Sequence, residues 1–108
     1  MSPEETTTVV VCPASELAPG ERVIFEHEGE PIAVFNAAGE LFAIEDRCSH
    51  DDGPLAEGEW SPAECTVECP RHGSIFDLRT GKPRTLPAFQ PVRVFPVQII
   101  DDNITVEV

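Results

Sequence analysis

The sequence predicts an all-β domain made of short antiparallel strands. Its 108 residues include 11 prolines and 7 glycines, a content that favours turns and short elements over helices. Between these residues lie runs that are β-branched or that alternate apolar with polar side chains, as half-buried strands do. No internal repeat, linker or helical pattern interrupts them, and a chain of this length is typical of one domain. We therefore expect residues 1–108 to fold as a single all-β domain.

Four strands are expected in the first half of the chain. They are residues 6–12, 21–27, 31–36 and 40–45. The first is β-branched, and the loop that follows it, residues 13–20, contains two prolines and a glycine. Within the third, alternate residues such as Val34 and Phe35 should point to opposite faces. Glycine-containing turns separate the last three strands, and this short spacing predicts an antiparallel meander.

Four more strands are expected in the second half of the chain. They are residues 64–68, 74–77, 92–100 and 104–108. Residues 83–91 hold three prolines and show no periodicity, so we expect an extended loop there. The run Asp101-Asp102-Asn103 predicts the turn of a final hairpin.

Two mixed Cys/His pairs lie in the middle of the chain. Cys48 and His50 form the first pair, and Cys69 and His72 form the second after residues 51–68. Thiolates and imidazoles bind both zinc and iron–sulfur clusters, so the ligand types alone do not separate the two. Zinc fingers usually pair Cys with Cys and His with His. Mixed pairs suit a centre with two unlike ends, such as a Rieske 2Fe-2S cluster, in which two Cys hold one iron and two His hold the other.

Beyond these pairs, the sequence resembles the Rieske-type ferredoxins that serve bacterial ring-hydroxylating oxygenases. The matching segments are residues 32–36, 39–44, 46–50, 55–58, 68–73, 76–81, 87–88, 91–92 and 95–97. The resemblance therefore covers nearly the whole chain. The spacing between the two Cys/His pairs is slightly wide for the family, and we assign the excess to a small insertion around residues 60–63.

The resemblance implies a fold and a ligand set. The fold is the Rieske fold, a β base domain of stacked antiparallel sheets with a small cluster-binding subdomain, here about residues 46–85. One 2Fe-2S cluster would have two thiolates on one iron and two imidazoles, bound through Nδ1, on the other. These ligands would be Cys48, Cys69, His50 and His72. The loop that carries Pro87 and Ala88 would cover the cluster.

The resemblance also implies a low reduction potential. Rieske potentials span roughly −150 to +300 mV. They are higher than those of four-cysteine clusters, because a cluster with two neutral ligands accepts an electron more readily. High-potential members have a disulfide between the two loops and a tyrosine that donates to a ligand sulfur. Gly53, Arg71 and Phe76 stand in those positions here, which leaves the reduced cluster less stabilised. Asp51 and Asp52 should also oppose the added electron.

Five other residues of interest are not predicted to be ligands. Cys12 is expected to be a buried structural thiol. Cys65 could replace the cysteine of the second pair as a ligand, but it stands outside the Cys-x-x-His motif and is expected to pack within its strand. His27 is expected to be a surface residue, and Trp60 a loop anchor, with docking to a partner as the alternative for Trp60. Ser74 is the one remaining candidate for a hydroxyl donor to sulfur.

Charge and hydropathy limit the classes of partner. Twenty acidic residues against seven basic ones give a net charge of −13, which disfavours nucleic acid and anionic membranes and steers the protein toward basic partners. The charge could equally serve only solubility or adaptation to a salt-rich host. No window approaches the roughly 20 apolar residues of a membrane span, and the N-terminus lacks the pattern of a secretion signal. We expect a soluble, cytoplasmic protein with reduced cysteines.

Together these observations predict a one-electron carrier rather than an enzyme. It would take electrons from a flavin-dependent ferredoxin reductase and pass them to a terminal oxygenase through the exposed edges of His50 and His72. Protonation of these histidines should accompany reduction at alkaline pH. A Rieske oxygenase also needs a mononuclear iron site, typically two His and one carboxylate, and only His27 remains for it.

Two alternatives stay open at this point. Related small Rieske proteins accompany iron–sulfur cluster assembly, so assembly proteins are alternative partners. The same four ligands could also hold zinc in a structural interaction module, in which case the family resemblance would be accidental.

Overall fold

Short strands form nearly all of the regular structure. The structure, a computed structural model, describes residues 7–47, 54–71, 73–85 and 90–108. In chain order the strands are β1 (Thr8–Pro13), β2 (Arg22–His27), β3 (Glu30–Ala37), β4 (Glu40–Glu45), β5 (Trp60–Ser61), β6 (Thr66–Glu68), β7 (Ile75–Asp77), β8 (Val94–Phe95), β9 (Val97–Ile100) and β10 (Asn103–Glu107). The only helix in the described ranges is a 3-10 turn, Ala14–Glu16, within the predicted first loop. No helix of the described chain has the length and apolar content needed to cross a bilayer.

Within the described residues, the strands pair into three antiparallel sheets. The terminal sheet has the order β1-β10-β9, the central sheet β2-β3-β4-β8, and the small sheet β5-β6-β7. The predicted meander is confirmed by the consecutive pairing of β2, β3 and β4 in the central sheet. The small sheet falls within residues 46–85, the segment expected to form the cluster-binding subdomain.

The strand β3 is buried on both of its faces. Every residue from Ile32 to Ala37 is buried. Ala33 and Phe35 pack into a first core, whereas Ile32 and Val34 pack into a second one. Because successive side chains of a strand point to opposite faces, the central sheet must be covered by a layer on each side.

The two cores join the central sheet to its two neighbours. The first core combines residues of the central and small sheets and includes Phe35, Ile44, Leu55, Val67, Cys69 and Phe76. The second combines residues of the central and terminal sheets and includes Ile32, Val34, Ala43, Phe95, Ile104 and Val106. Burying one large apolar side chain contributes about 1.5–3 kcal/mol. The stacked antiparallel sheets expected from the resemblance are confirmed.

Three hairpins have two-residue turns with positive φ at both positions. The angles are 52° and 83° for Glu28 and Gly29, 56° and 99° for Ala38 and Gly39, and 52° and 65° for Asp101 and Asp102. This pattern marks a type I′ turn, whose twist matches that of the paired strands. Ala38 has neither the freedom of glycine nor a polar side chain that favours this conformation.

A single strand over residues 92–100 was expected, and that expectation is wrong. The first part, β8, pairs with β4 in the central sheet, and the second part, β9, pairs with β10 in the terminal sheet. Pro96 separates them. It has no N–H to donate to a ladder, and its carbonyl accepts a hydrogen bond from the Glu107 N–H at 3.0 Å. The chain therefore passes from one sheet to another at this proline.

The small sheet also differs from the prediction. Within residues 60–63, interpreted as a small insertion relative to the family, Trp60–Ser61 forms β5 and pairs with β6, a strand that the sequence analysis did not predict. The strand predicted over residues 64–68 begins only at Thr66, because Cys65 has a φ of 56° and belongs to the preceding turn. A two-residue strand is too short to show a period of two in the sequence.

Replacing Ala38 by Gly should stabilise the protein by about 1 kcal/mol, because the left-handed conformation costs an alanine about that much and costs glycine little. Chemical denaturation gives the free energy of unfolding. The control is Ala18→Gly, since Ala18 is also exposed but lacks a positive φ. An equal gain in both variants, or none at Ala38, would contradict the proposed strain.

Candidate metal centre

Cys69 is the one predicted ligand that lies within the described residues. It follows β6 directly and is fully buried, with 0% of its surface exposed. The other three predicted ligands, Cys48, His50 and His72, lie outside the described residues. The chain segments that flank them therefore define the rest of the site.

A tight turn follows Cys69. The Cys69 N–H donates to the carbonyl oxygen of Ser74 at 2.8 Å, and the Gly73 N–H donates to the Cys69 carbonyl at 2.9 Å. Gly73 has a φ of 78°, a conformation that glycine adopts without strain. These bonds fix the backbone on both sides of position 72.

The segment that carries the first Cys/His pair starts at Asp46, a buried residue at the end of β4. The Asp46 N–H donates to the carbonyl of Pro31 at 2.9 Å. Its carboxylate oxygen Oδ1 accepts hydrogen bonds from the N–H groups of Leu55, at 2.8 Å, and Ala56, at 2.6 Å. Leu55 and Ala56 belong to the first core together with Cys69. Both ligand-bearing segments are therefore attached to the same core.

The two segments meet at Gly58. A Cβ atom at this position would overlap the carbonyl oxygen of Glu68 and lie 3.1 Å from Cδ of Pro70. Glu68 and Pro70 flank Cys69 directly in the sequence. Glycine is therefore needed for the first segment to lie against the backbone that carries Cys69.

The described residues beside Cys69 are closed to water. Val67 and Phe76, in the small sheet, and Ser74, just before β7, are all fully buried. Phe76 has no hydroxyl group to donate, and Arg71, at the position of a family cysteine, is exposed. Among the described cysteines, Cys12 and Cys65 are free thiols. The equivalence of Phe76 and Arg71 to the tyrosine and the cysteine of high-potential members stays a prediction.

Cys65 is the other described cysteine beside β6. Cys65 lies before β6, where its Sγ donates to the carbonyl of Pro62 at 3.7 Å. Cys65 precedes β6 and Cys69 follows it, so the three residues of this strand separate the two cysteines. The interpretation of Cys65 as a packing residue is confirmed, although it precedes the strand. One thiolate from this segment fits a mixed Cys/His centre such as a 2Fe-2S cluster.

Two other residues singled out in the sequence are at the surface or half-buried. Cys12 is half-buried rather than buried. Burial, and then the negative charge of Glu16, raise the pKa of the Cys12 thiol above its ordinary value, so this thiol is protonated at neutral pH. His27 lies at the end of β2, with Nε2 3.5 Å from the carboxylate of Glu28. Neither residue belongs to the first core, which contains Cys69.

Trp60 anchors the small sheet to the central sheet. Its ring packs edge-on against Phe35, with the ring centroids 5.0 Å apart and the planes at 65°. The interpretation of Trp60 as an anchor is confirmed. Asp51 and Asp52, predicted to oppose reduction, and residues 87–88, predicted to cover the cluster, lie outside the described residues.

Exposed carboxylates flank the small sheet. They belong to Glu57, Glu59, Glu64 and Glu68. The Glu68 N–H donates to the Glu59 carbonyl at 2.8 Å, so these two residues lie on adjacent chains. The Glu68 Oε2 atom lies 3.8 Å from the point where a Cβ of Gly73 would stand. Negative charge therefore reaches the edge of the second ligand segment.

A comparison with family models identifies the domain. Residues 7–96 match the model of the Rieske [2Fe-2S] domain. The chain belongs to the Rieske [2Fe-2S] domain family. Its cofactor is one Rieske-type 2Fe-2S cluster, which confirms the cofactor predicted from the mixed Cys/His pairs.

Relatives within the Rieske family are similar to the chain over nearly their whole length. The biphenyl 2,3-dioxygenase ferredoxin component of Rhodococcus jostii is 44% identical over 97 residues, which cover 90% of this chain and 89% of the relative. The 3-phenylpropionate/cinnamic acid dioxygenase ferredoxin subunit of Photorhabdus laumondii is 43% identical over 98 residues, 91% of each chain. Both of these relatives are components of dioxygenases.

Solved structures show the same Rieske fold. The ferredoxin of carbazole 1,9a-dioxygenase from Nocardioides aromaticivorans superposes with a TM-score of 0.86 at 34% identity, covering 93% of this chain and 96% of that one. A second ferredoxin, solved in a complex of reduced oxygenase and oxidized ferredoxin in carbazole 1,9a-dioxygenase, has a TM-score of 0.85 at 33% identity. This match covers 92% of this chain and 91% of that one.

Replacing Gly58 by Ala should destabilise the protein by about 3 kcal/mol, because the added methyl group must displace the backbone beside Cys69. The purified variant should also contain less cluster, measured by iron and sulfide content. The control is Gly39→Ala, since a Cβ at Gly39 meets nothing within 4 Å and strains only the turn. Normal stability and cluster content in Gly58→Ala would contradict the close contact.

Proposed function

We propose that this protein is the ferredoxin component of a multicomponent dioxygenase and carries single electrons to a terminal oxygenase. The observation that supports this most is the match to dioxygenase ferredoxins at 43–44% identity over about nine-tenths of both chains. The cluster domain accounts for nearly the whole length of those relatives. Electron transfer is the chemistry that such a domain performs without a second metal site.

The proposed ligand set consists of two thiolates on one iron and two imidazoles, through Nδ1, on the other. The residues are Cys48, Cys69, His50 and His72. The buried thiol of Cys69, and the attachment of both ligand segments to the first core, support this assignment. We also propose residues 46–85 as the cluster-binding subdomain, built around the small sheet.

The chain's own residues favour a low reduction potential. When bound, the cluster takes up and releases one electron. Phe76 offers no hydroxyl hydrogen bond to a ligand sulfur, and Glu68 adds a negative charge next to Cys69. Fewer donors and more negative charge both disfavour the reduced form. We therefore place the potential near the low end of the Rieske range.

The proposed partners are a flavin-dependent ferredoxin reductase and a terminal oxygenase. The exposed carboxylates on the small sheet and the net charge of −13 support docking to basic surfaces, because complementary charge raises association rates. A solved complex of a similar ferredoxin with its oxygenase supports the second partner.

The protein is proposed to act as a carrier and not as a catalyst by itself. An oxygenase would need a second iron site with two histidines, whereas His27 lies on a hairpin beside Glu28. A reducing cytoplasmic setting is proposed because the described cysteines outside the ligand set, Cys12 and Cys65, are free thiols.

The ligand set can be tested with two serine variants. Cys69→Ser should lose the Rieske electron paramagnetic resonance signal of the reduced protein, since a neutral hydroxyl is a poor replacement for a thiolate ligand. Cys65→Ser should keep that signal, because Cys65 only packs at the far end of β6. The reverse result would show that Cys65 is the ligand.

Electron delivery to a terminal oxygenase should slow several-fold as ionic strength rises, since screening weakens the attraction between exposed charges. Replacing Glu59 and Glu68 together by Gln should reduce the rate at low salt. Stopped-flow reoxidation of the reduced ferredoxin by the oxygenase measures both effects. The control is Glu107→Gln, a change in the terminal sheet. A rate insensitive to salt would contradict electrostatic docking.

A further inference from the structure

Asp46 is a buried carboxylate that does not belong to the predicted ligand set. Only 7% of its surface is exposed. A single oxygen, Oδ1, accepts the N–H groups of both Leu55 and Ala56, at 2.8 and 2.6 Å. Charged acceptors make strong hydrogen bonds, and the loss of a buried acceptor leaves its donors unpaired.

These bonds join two points of the chain that lie on either side of the first Cys/His pair. Asp46 is attached through its backbone N–H to Pro31 of the central sheet. Its side chain holds the backbone at Leu55 and Ala56, which pack in the first core with Cys69. The carboxylate thus links Asp46, which precedes Cys48 in the chain, to Leu55 and Ala56, which follow His50.

We propose that Asp46 is a positioning residue for the cluster, with two separable effects. Its hydrogen bonds tie the start of the first ligand segment to Leu55 and Ala56 in the core that contains Cys69, which favours retention of the cluster. Its negative charge, buried two positions from Cys48, opposes the added electron and lowers the reduction potential. The proposal depends on Cys48 and His50 being ligands, as proposed above.

The position of the hydrogen bonds makes the two effects separable. Because both donors use Oδ1, an asparagine at this position can keep both bonds through its amide oxygen while it removes the charge. Alanine removes the acceptor and the charge together. Glutamate keeps the charge but moves the oxygen by one methylene group.

The neighbouring Glu45 provides a matched control. Its Oε1 accepts the Arg93 N–H at 2.8 Å. Arg93 directly precedes β8 in the central sheet, so this bond does not connect the two ends of the ligand segment. Glu45→Gln makes the same change in charge one residue away. A general effect of charge on this end of β4 would act alike in both variants.

The test compares Asp46→Asn, Asp46→Ala, Asp46→Glu and Glu45→Gln in the full chain. Iron and sulfide content, the rate of cluster loss to a chelator, and the reduction potential from spectroelectrochemistry are measured for each. Asp46→Ala should lose its cluster about tenfold faster than the wild type, as expected when groups that orient metal ligands are removed. Asp46→Asn should retain it normally and show a higher potential than Glu45→Gln.

Two results would overturn the proposal. Wild-type retention of the cluster in Asp46→Glu and Asp46→Ala would show that the hydrogen bonds do not position the segment. A potential in Asp46→Asn equal to that of Glu45→Gln would show that the charge has no specific effect. If Asp46→Ala does not fold, Asp46→Glu still decides the first point. Cys48→Ser tests the ligand assignment separately from the role of Asp46. If this variant keeps the Rieske signal, the proposed ligand set is wrong.

Discussion

The rest of the structure depends on the burial of β3 on both faces. Ile32 and Val34 fill the core toward the terminal sheet, and Ala33 and Phe35 fill the core toward the small sheet. A shift of one residue in its pairing would exchange these two sets. Since the sets differ in volume and both cores are closely packed, the register of the central sheet is strongly specified.

Because β3 is buried on both faces, two segments that are distant in the sequence come together at the candidate centre. One ligand segment leaves the central sheet at the end of β4, and the other leaves the small sheet at the end of β6. The first core lies between these sheets and holds Leu55 and Cys69 together. Gly58 then allows the first segment to lie against the backbone around Cys69. The site is therefore a product of sheet packing and not of either loop alone.

Local patterns in the sequence predicted most of the fold and the chemical type of the site. Alternation and glycine turns identified the meander, and β4 has the predicted bounds of residues 40–45. The alternation of side chains in residues 92–100 continued through Pro96, although this proline divides the run into two strands. The strand Trp60–Ser61 was too short to show a period in the sequence. The contacts of Asp46 and Gly58 join residues far apart in the chain. Both residues fall within segments that resemble the family, but that resemblance does not reveal which backbone groups they meet.

The complete burial of Cys69 has a consequence for the lifetime of the metal centre. A thiol enclosed by Val67, Phe76 and the backbone of the small sheet contacts no solvent. Oxidants that attack sulfur reach such an atom only when the surrounding core opens, so their rate of attack follows the free energy of local unfolding. The durability of the centre is therefore a property of the hydrophobic packing beneath it as much as of its metal–ligand bonds.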